Sequence, residues 1–448
     1  MTESPASPKP VKVGRYRYSK LRWRLLVHAL DAVGTAVMAL VRLARPARRV
    51  VDPRRILVVQ LDHLGDAVLS TPLFAELVAA FPQAEIDVLA SPSNHEVFEA
   101  DPRIGRVLVA RQTWFERRRD RFSLIRAVWR LGRSLRPRGY DLGVDVRGDV
   151  LSVLVLVLAG IPRRLGWDMG GGAFLLTDVA SWRPGRHEVR SRLALLRELG
   201  IEPAERPRLD VHVDDRDRVR VARRLAEAWP RKSARRAEAR ASGWHERGTP
   251  NQARGSRPAP LDPDDADWLH ADRFSSRPPL LAVHLGAGTA AKRWPIASWR
   301  TLVDKFLEHD WRIVVVGGPD DVALARSLPE HSRLADWSGR LSVVETTALL
   351  ERADMFIGSD SGPAHLAASA GTLSVVLFSG TNQPRQWRPW SRHALVLRKP
   401  VSCQPCHQKT CPLAGHPCMS GLDPERVWKG AMRLWARAHD DQPPHHPL

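Results

Sequence analysis

The sequence predicts an α/β protein with two parallel-sheet domains that face a central cleft. Nearly continuous apolar runs are typical of strands buried on both faces, and helical segments alternate with them. This alternation occurs twice, once on each side of a polar stretch. The chain has 448 residues, which suits two or three domains, and 43% of them are hydrophobic, enough for sizeable cores.

The first half of the chain alternates strands and helices from residue 54 onward. Strands that alternate with helices form βαβ units and therefore a parallel sheet. The predicted strands are 56–61, 85–90, 107–110, 141–146 and 208–213, and the predicted helices are 67–81, 121–135 and 187–199.

The second half repeats the pattern from residue 280, and the strand at 373–380 is expected to close it. Between the halves, a helix at 216–229 leads into an Ala/Arg/Gly/Pro-rich stretch whose composition resists a packed core. Two Rossmann-like halves joined in this way place a ligand cleft at the carboxyl ends of their strands. The predicted strands are 280–285, 311–318, 355–360 and 373–380, and the predicted helices are 296–309, 342–353 and 362–371.

The formal net charge of +20 is concentrated in two segments. Residues 1–50 carry 11 lysines and arginines against two acidic residues, and residues 216–257 carry 13 against four. The rest of the chain is therefore nearly neutral, which argues against a nucleic-acid partner, since that would favour a basic face on the folded domain. Appended basic segments suit an anionic membrane surface, where each basic residue contributes roughly 1 kcal/mol.

The stretch 21–45 predicts a helix whose part without lysine or arginine, 25–41, is short and interrupted for a membrane span. Arginines at both ends favour a helix that lies in the membrane interface, with 32–41 at the headgroup boundary. A helix packed on the protein's own surface is the alternative. A secretory signal fits less well, because no small-residue cleavage site is clear. The arginines expected at lipid phosphates are Arg22, Arg24, Arg42 and Arg45.

The motif LDHLGDAVLSTP (61–72) follows the first strand. Gly65 lets the backbone turn sharply at a point where a side chain would crowd a ligand. Asp66 then stands at a helix start on the rim of the cleft. It is either a general base that deprotonates a substrate hydroxyl or a helix-capping residue.

Two loops in the second half have the composition of phosphate sites. GAGTAAKRWP (286–295) combines free backbone N–H groups with Lys292, and GSDSGPAHLAA (358–368) brings Ser361 and Gly362 to a helix N-terminus. Asp360 can accept hydrogen bonds from sugar hydroxyls, and His365 lies one turn into the helix. A solvent-facing lysine and a packing or capping histidine are the alternatives.

Together these motifs resemble those of glycosyltransferase family 9, the ADP-heptose:lipopolysaccharide heptosyltransferases. The resemblance covers about two-thirds of the chain. It rests on the two motifs at 61–72 and 358–368, on KRWP (292–295), on GGPDD (317–321) and on the 378–389 region. It implies a GT-B fold with an acceptor domain (51–215) and a donor domain with a Cys-rich tail (278–448). The basic amphipathic extension (1–50) and the basic low-complexity linker or insertion (216–277) depart from the usual family outline.

The resemblance implies an inverting transfer of a sugar, expected to be heptose from ADP-heptose. The expected acceptor is a lipopolysaccharide-core saccharide or a related anionic lipid-linked saccharide. Asp66 would act as the base, and Lys292, Ser361 and Gly362 would hold the donor diphosphate. Asp360 would lie near the donor sugar. No cofactor or catalytic metal is implied, since a lysine and helix dipoles act on the diphosphate in this arrangement.

Further contacts are expected on both sides of the cleft. Asp320 or Asp321 would correspond to the acidic residue near the donor ribose. The other expected donor contacts are Gly65, Gly288, Thr289 and His365, and the expected acceptor contacts are Arg147 and Arg164. An anionic lipid-linked acceptor places the enzyme in the cytoplasm, peripherally bound to the inner face of the cytoplasmic membrane.

Four cysteines cluster near the C-terminus, and no other cysteine occurs in the chain. Their spacing is not the paired pattern of common zinc sites, so structural zinc, reduced thiols and disulfides all stay open. Similar Cys-rich tails occur in the family, which implies a structural clip. The four are Cys403, Cys406, Cys411 and Cys418.

Two rival functions stay open. One is a sugar-nucleotide epimerase of the same architecture, which would process the donor without an acceptor. The other is a non-catalytic saccharide-binding relative. The intact set of Asp66, Lys292 and Asp360 argues against the second, because a degenerate copy should have lost some of them.

Overall fold

The computed structural model describes residues 21–44, 50–110, 121–230 and 277–440. Several features discussed above lie outside this description: residues 1–20, most of the predicted low-complexity segment (231–276), Arg45 and the side chains of Arg22, Arg24 and Arg42.

Each half of the described chain contains a six-stranded parallel sheet. The strand orders are β3-β2-β1-β4-β5-β6 and β12-β11-β10-β7-β8-β9. Numbered within its own half, each sheet has the order 3-2-1-4-5-6, in which ligands bind where the strand order reverses. The predicted fold class, two Rossmann-like halves of GT-B type, is confirmed. The strands are β1 (Arg55–Gln60), β2 (Glu85–Ala90), β3 (Arg106–Val109), β4 (Leu142–Asp145), β5 (Arg163–Trp167), β6 (Asp178–Ala180), β7 (Leu280–His284), β8 (Arg312–Val316), β9 (Leu334–Asp336), β10 (Met355–Ser359), β11 (Leu373–Phe378) and β12 (Ala394–Arg398).

Helices cover both faces of each sheet. In β1, Ile56 and Val58 join one apolar cluster, whereas Leu57 and Val59 join another on the opposite face. This is why the strand is an unbroken apolar run. The helices are α1 (Leu21–Ala44), α2 (Leu64–Ala80), α3 (Glu96–Glu99), α4 (Arg121–Leu135), α5 (Val150–Leu158), α6 (Glu188–Ala194), α7 (Asp215–Ala228), α8 (Ile296–Glu308), α9 (Val322–Ala325), α10 (Val343–Arg352), α11 (Gly362–Ser369), α12 (Pro384–Trp387), α13 (Pro417–Ser420) and α14 (Pro424–Asp440).

The Ser-Thr-Pro end of the first motif has a structural explanation. Pro72 lies inside α2 and cannot donate to the carbonyl of Val68. The hydroxyl of Thr71 donates to that carbonyl instead, at 2.8 Å, and accepts from the backbone N–H of Asp210 at 3.0 Å. The proline is thus accommodated without an unsatisfied buried carbonyl.

Two predictions about strands are wrong. Residues 208–213 form no strand; their alternate residues Leu209, Val211 and Val213 are buried in the apolar cluster around α2, which produces the same period-two pattern. The strand at 373–380 does not close the second half, because β12 adds a further edge strand beside β11.

The described part of the predicted linker is a packed helix. Val221, Ala222 and Leu225 of α7 are buried. Arg218 and Arg220 form ion pairs with Glu351 and Glu345 of α10, at 2.8 Å each. These arginines are therefore used within the folded body of the protein, which reduces the charge available for an external surface.

Helix α1 is docked on the first half, as in the alternative of a helix packed on the protein's own surface. The Asp31 carboxylate is buried and accepts from the backbone N–H of Gly172 at 2.7 Å. A Cβ atom at Gly34 would lie 2.5 Å from the ring of Phe174, so the helix and this ring are in close contact. Among the described residues, no helix has both the length and the apolar character that crossing a membrane requires.

We predict that Gly132→Ala destabilises the protein, although alanine is normally favoured over glycine within a helix by about 1 kcal/mol. Gly132 lies in α4, where an added Cβ would overlap the Cβ of Leu158 in α5. We expect a net loss of about 1–3 kcal/mol, typical of overpacking, as a lower denaturant midpoint. Ser134→Ala, an exposed change in the same helix, is the control. A more stable Gly132→Ala protein would contradict the α4–α5 packing.

Candidate active site

A cleft of about 1030 Å³ lies between the two halves. It opens at the carboxyl ends of β1 and β4 in the first half and of β7 and β10 in the second, where both strand orders reverse. Every residue predicted for the substrate site except Arg164 lines it. These are Gly65, Asp66, Arg147, Gly288, Thr289, Lys292, Asp320, Asp321, Asp360, Ser361, Gly362 and His365.

Arg164 has a different place. Its guanidinium donates to the carbonyls of Leu175 at 2.7 Å and Ile161 at 2.5 Å. These bonds hold the loop after β5 together, and Arg164 is not among the residues that line the cleft. The structure thus shows Arg164 in structural bonds outside the cleft lining, and its expected acceptor contact stays a prediction.

The N-termini of α2 and α11 meet across the cleft. A Cβ atom at Gly65 would lie 2.8 Å from Cδ2 of His365, and one at Gly362 would lie 2.7 Å from Cδ2 of Leu64. The reason for a glycine at 65 is therefore corrected: an added side chain would collide with the other half of the protein.

Asp66 lies in the first turn of α2 but does not cap the helix. The N-cap residue is His63, and no side chain caps it. Oδ1 of Asp66 accepts from Nη2 of Arg192 at 2.6 Å, and Arg192 is only 4% exposed. The carboxylate is thus held at the rim of the cleft by a buried cation from α6.

Lys292 and Asp360 form the opposite wall. Nζ of Lys292 donates to Oδ2 of Asp360 at 2.8 Å and to its backbone carbonyl at 3.1 Å. The side chain of Asn382 donates to the same Oδ2 at 2.7 Å. Within the described ranges these bonds use two of the three N–H groups of Lys292, so one remains for an anionic ligand.

The Cys-rich segment supports the loop that carries Lys292. The backbone N–H of Ala291 donates to the carbonyl of Lys409 at 3.0 Å, and Nε2 of His416 lies 3.0 Å from the carbonyl of Ala291. None of the four cysteines forms a disulfide in the structure. Within the described ranges, no group of three or more His, Cys, Asp or Glu residues is arranged to hold a metal ion.

The two candidate acidic residues near the donor ribose differ in their surroundings. Oδ2 of Asp321 lies 3.2 Å from Nε2 of His284 and accepts from the backbone N–H of Gly318 at 3.0 Å. Burial raises the pKa of Asp321, but the bonds from His284 and Gly318, together with the nearby charges of His284 and Arg293, outweigh it, so the net pKa lies below its ordinary value. Asp320 is exposed at the cleft. Asp320 is therefore the more accessible of the two to a ligand in the cleft.

His284 also joins Asp321 to the second phosphate motif. Its Nδ1 lies 3.1 Å from Oγ of Ser361, the N-cap residue of α11. No side chain caps α11. The chain from Asp321 through His284 therefore orients the Ser361 hydroxyl beside a helix N-terminus that favours anions.

Three residues that line the cleft carry buried polar atoms with no hydrogen-bond partner in the described part of the chain. They are Oγ1 of Thr289, Nδ1 of His365, and Nε and Nη1 of Arg192. An unmade hydrogen bond at a buried atom costs about 1–3 kcal/mol. Atoms of this kind also occur outside the cleft, but at Thr289 and His365 a polar ligand in the cleft can complete the bonding.

Arg147 lies on the first-half side of the cleft among carboxylates. It forms ion pairs with Asp62 and, at 2.6 Å, with Asp149. Asp145 is buried below and accepts from the backbone N–H groups of Arg147 and Gly148. Burial and the nearby Asp149 raise the pKa of Asp145 well above its ordinary value. Arg147 thus balances the charges at this end of the cleft.

The family described as glycosyltransferase family 9 (heptosyltransferase) matches residues 128–416, more than half of the chain. The chain belongs to glycosyltransferase family 9. Lipopolysaccharide heptosyltransferase 2 of Escherichia coli is 24% identical over 392 residues, which cover 83% of this chain and 96% of the relative. Lipooligosaccharide heptosyltransferase 2 of Campylobacter jejuni is 28% identical over 167 residues, 36% of this chain and 52% of the relative.

Solved structures share the fold of this family 9 glycosyltransferase. The structure of E. coli ADP-heptose lps heptosyltransferase II superposes with a TM-score of 0.62 at 20% identity, covering 86% of this chain and 99% of that chain. A family 9 glycosyl transferase from Veillonella parvula superposes with a TM-score of 0.63 at 19% identity, covering 86% and 98%. At these identities the likeness shows a shared GT-B fold.

Sequence reasoning missed several site residues of the family 9 enzyme. Arg192, Glu188, His284 and Asn382 were not among the candidates, yet all but Asn382 are buried and all four line the cleft. The signal for the first two was present in the helix at 187–199, where a glutamate and an arginine four residues apart lie on one otherwise apolar face.

His365 is buried where the two halves of the enzyme meet. Burial lowers its pKa to about 4, and the opposing effects of Asp360 and Asp66 do not offset this. The imidazole is therefore neutral at neutral pH.

We predict that His365 makes the enzyme less stable in mild acid. An unfolded histidine takes up a proton near its ordinary pKa of about 6.5, whereas folded His365 does so only near 4. Stability is therefore lost as pH falls through this window, by at most about 1.4 kcal/mol per pH unit for one group. Thermal unfolding of His365→Gln should show a shallower decline in Tm from pH 6.5 to 4.5 than the wild type.

His331→Gln, at an exposed position, is the matched control and should keep the wild-type slope. If His365→Gln and the wild type lose Tm in parallel across this range, the buried neutral state of His365 does not contribute to acid sensitivity.

Proposed function

We propose that this glycosyltransferase transfers heptose from ADP-heptose to a lipid-linked lipopolysaccharide-core saccharide in one inverting displacement. The observation that carries the proposal is the placement of Asp66 across one cleft from Lys292 and the α11 N-terminus. A base and a diphosphate site on opposite walls are what such a displacement requires. Related chains named as lipopolysaccharide heptosyltransferases support the choice of sugar and acceptor.

Asp66 is the proposed base. Its Oδ1 is held by Arg192, and the described residues make no hydrogen bond to its Oδ2. Oδ2 is therefore the oxygen that accepts the proton from the acceptor hydroxyl. As the proton leaves, the hydroxyl oxygen bonds to the anomeric carbon, and the bond from that carbon to the diphosphate breaks.

The second half stabilises the departing diphosphate. Lys292 provides a cation with one unused N–H group, and α11 provides an uncapped helix N-terminus beside the Ser361 hydroxyl. The buried hydroxyl of Thr289 supplies a further donor that has no partner among the described residues. Asp360, bound to both Lys292 and Asn382, lies where the sugar hydroxyls of the donor would arrive.

The acceptor side faces the first half, and α1 is the proposed membrane contact. Val27, Asp31 and Gly34 face the protein, whereas Leu30, Val33, Val37 and Leu40 form a stripe at helical spacing that is 51–69% exposed. A docked helix with an outward apolar stripe and flanking arginines suits the interface of an anionic membrane. The proposed location is the cytoplasmic face of the inner membrane, where the acceptor would be found.

We predict that Asp66→Asn lowers turnover by about 10²–10⁴-fold and leaves ADP affinity within about twofold of wild type. The amide keeps the shape of the side chain but cannot accept the proton. Turnover would be measured with ADP-heptose and the lipid-linked saccharide extracted from cells that lack this gene, and ADP binding by calorimetry.

Lys292→Met is the contrasting variant in the same assays. It removes a charge-assisted bond and should weaken ADP binding by about 10- to 150-fold. Near-normal turnover in Asp66→Asn would remove Asp66 as the base. Conversion of ADP-heptose to an isomer without acceptor would favour the epimerase instead.

We predict that the full chain binds vesicles containing anionic lipid and that Leu30→Gln/Val33→Gln/Val37→Gln weakens this binding by about 10-fold or more. The triple change removes apolar contact but leaves the Asp31 and Gly34 docking residues intact. Binding should also fall as salt rises. Flotation on vesicles with and without anionic lipid measures both effects.

Val179→Gln, which changes an exposed apolar residue outside α1, is the control. Equal flotation of the triple variant and the wild type would contradict the α1 contact.

A further inference from the structure

A chain of side-chain contacts runs from the second half of the protein to Asp66. The side chain of Gln386 in α12 donates to Oε1 of Glu188 at 2.6 Å. Oε2 of Glu188 lies 3.7 Å from Nη2 of Arg192, which donates to Asp66 at 2.6 Å. Helix α12 of the second half is thus linked through α6 to the carboxylate of Asp66 in α2.

Helix α6 carries both Glu188 and Arg192, and its first residues contact the second half of the protein. Glu188 and Arg192 are four residues apart, so they share one face of the helix. Its N-cap residue, His187, places Nε2 2.8 Å from the carbonyl of Arg388, and its ring lies 4.6 Å from that of Trp390. The start of α6 therefore rests against the segment 384–390 of the second half.

Burying the charged side chain of Arg192 costs free energy, so a contribution to stability does not explain why an arginine occupies this position. It is almost fully buried, and its Nε and Nη1 have no hydrogen-bond partner in the part of the chain that the structure describes. A buried cation contributes to stability only when its bonds are well satisfied, and apolar replacements are often neutral or better. Burial lowers the pKa of Arg192, but the carboxylates of Glu188, Asp66 and Asp62 together raise it more, so the side chain stays charged.

We propose that Arg192 is the positioning residue of Asp66 and that Glu188 and Gln386 make this positioning depend on the docking of the segment 384–390. This inference rests on the proposed role of Asp66 as the base. When the donor half docks, Gln386 fixes one oxygen of Glu188. The other oxygen of Glu188 then restrains Arg192, and Arg192 holds Oδ1 of Asp66 so that Oδ2 faces the acceptor hydroxyl. The base is therefore in place only when the donor site is docked beside it.

The test is a set of double-mutant cycles on turnover at saturating substrates. Arg192→Met should lower kcat by about 10- to 100-fold, because small misplacements of reacting groups cost about this much. Gln386→Ala should lower kcat by about 3- to 10-fold, as expected for one hydrogen bond. Neither should change the Kd for ADP by more than about twofold, since neither touches the diphosphate site.

The decisive comparison is in the Asp66→Asn background. A residue that acts only through Asp66 has no further effect once the base is gone, so both changes should leave the residual kcat of Asp66→Asn unaltered. Independent, multiplicative losses would overturn the inference. Arg192→Lys, which keeps the charge, should recover part of the kcat lost in Arg192→Met.

Two controls separate this inference from folding and from the proposed function. Trp390→Phe removes another contact between the halves, the 2.7 Å bond to the carbonyl of Pro207, and should lower kcat less than Gln386→Ala does. If Arg192→Met does not fold, Gln386→Ala and its cycle with Asp66→Asn still decide the question.

Normal turnover in Asp66→Asn would refute the role of Asp66 as the base. A large loss there with full turnover in both Arg192→Met and Gln386→Ala would refute only the positioning role.

Discussion

The contact between the N-termini of α2 and α11 is the constraint on which the rest of the site depends. It is possible because Gly65 and Gly362 have no side chains. The backbone at Gly65 can therefore approach His365, and the backbone at Gly362 can approach Leu64. Both helices point the positive ends of their dipoles at the same place, and a lysine and an arginine lie close by. Like charges brought together in this way repel each other. Asp66 and Asp360 offset part of that repulsion, and an anionic ligand would offset more, so the geometry favours a diphosphate.

Much of the fold could be predicted, because a strand buried on both faces is apolar along most of its length, and the core strands β1, β7 and β11 satisfy this. The short edge strands β6, β9 and β12 could not be found in this way, since they are only partly buried. The segment at 208–213 has the alternation of a strand, but it lies along α2 without strand partners. Most residues that line the cleft could be predicted because they directly follow strands. In a parallel sheet, the loops after the strands meet at the point where the strand order reverses. Partners from distant helices, such as Arg192, depend on tertiary packing that no local pattern records.

Two buried polar atoms of the cleft that lack hydrogen bonds are explained by the proposed ligand binding. Thr289 and His365 each leave a polar atom buried without a partner among the described residues. Each such atom reduces stability, and both lie where substrates are proposed to bind. His284 shows the opposite case, because it is bonded to both Asp321 and Ser361 and fixes the side chain at the helix start. The site thus combines groups that are already positioned with groups that are completed only on binding.

The docking of α1 connects the membrane proposal with the acceptor side of the cleft. Asp31 binds the backbone of Gly172, and Val27 contacts Gly171; both glycines have positive φ, a conformation that suits glycine. The preceding residues, Met169 and Gly170, line the cleft beside Arg147 and Asp149. The residues that hold α1 are therefore next in sequence to residues of the proposed acceptor wall. A helix lying in the membrane interface would bring this wall close to the lipid surface, where the saccharide of a lipid-linked acceptor begins. In the proposed function, α1 thus lies on the half that meets the lipid-linked acceptor, since a soluble nucleotide-sugar donor would need no such contact.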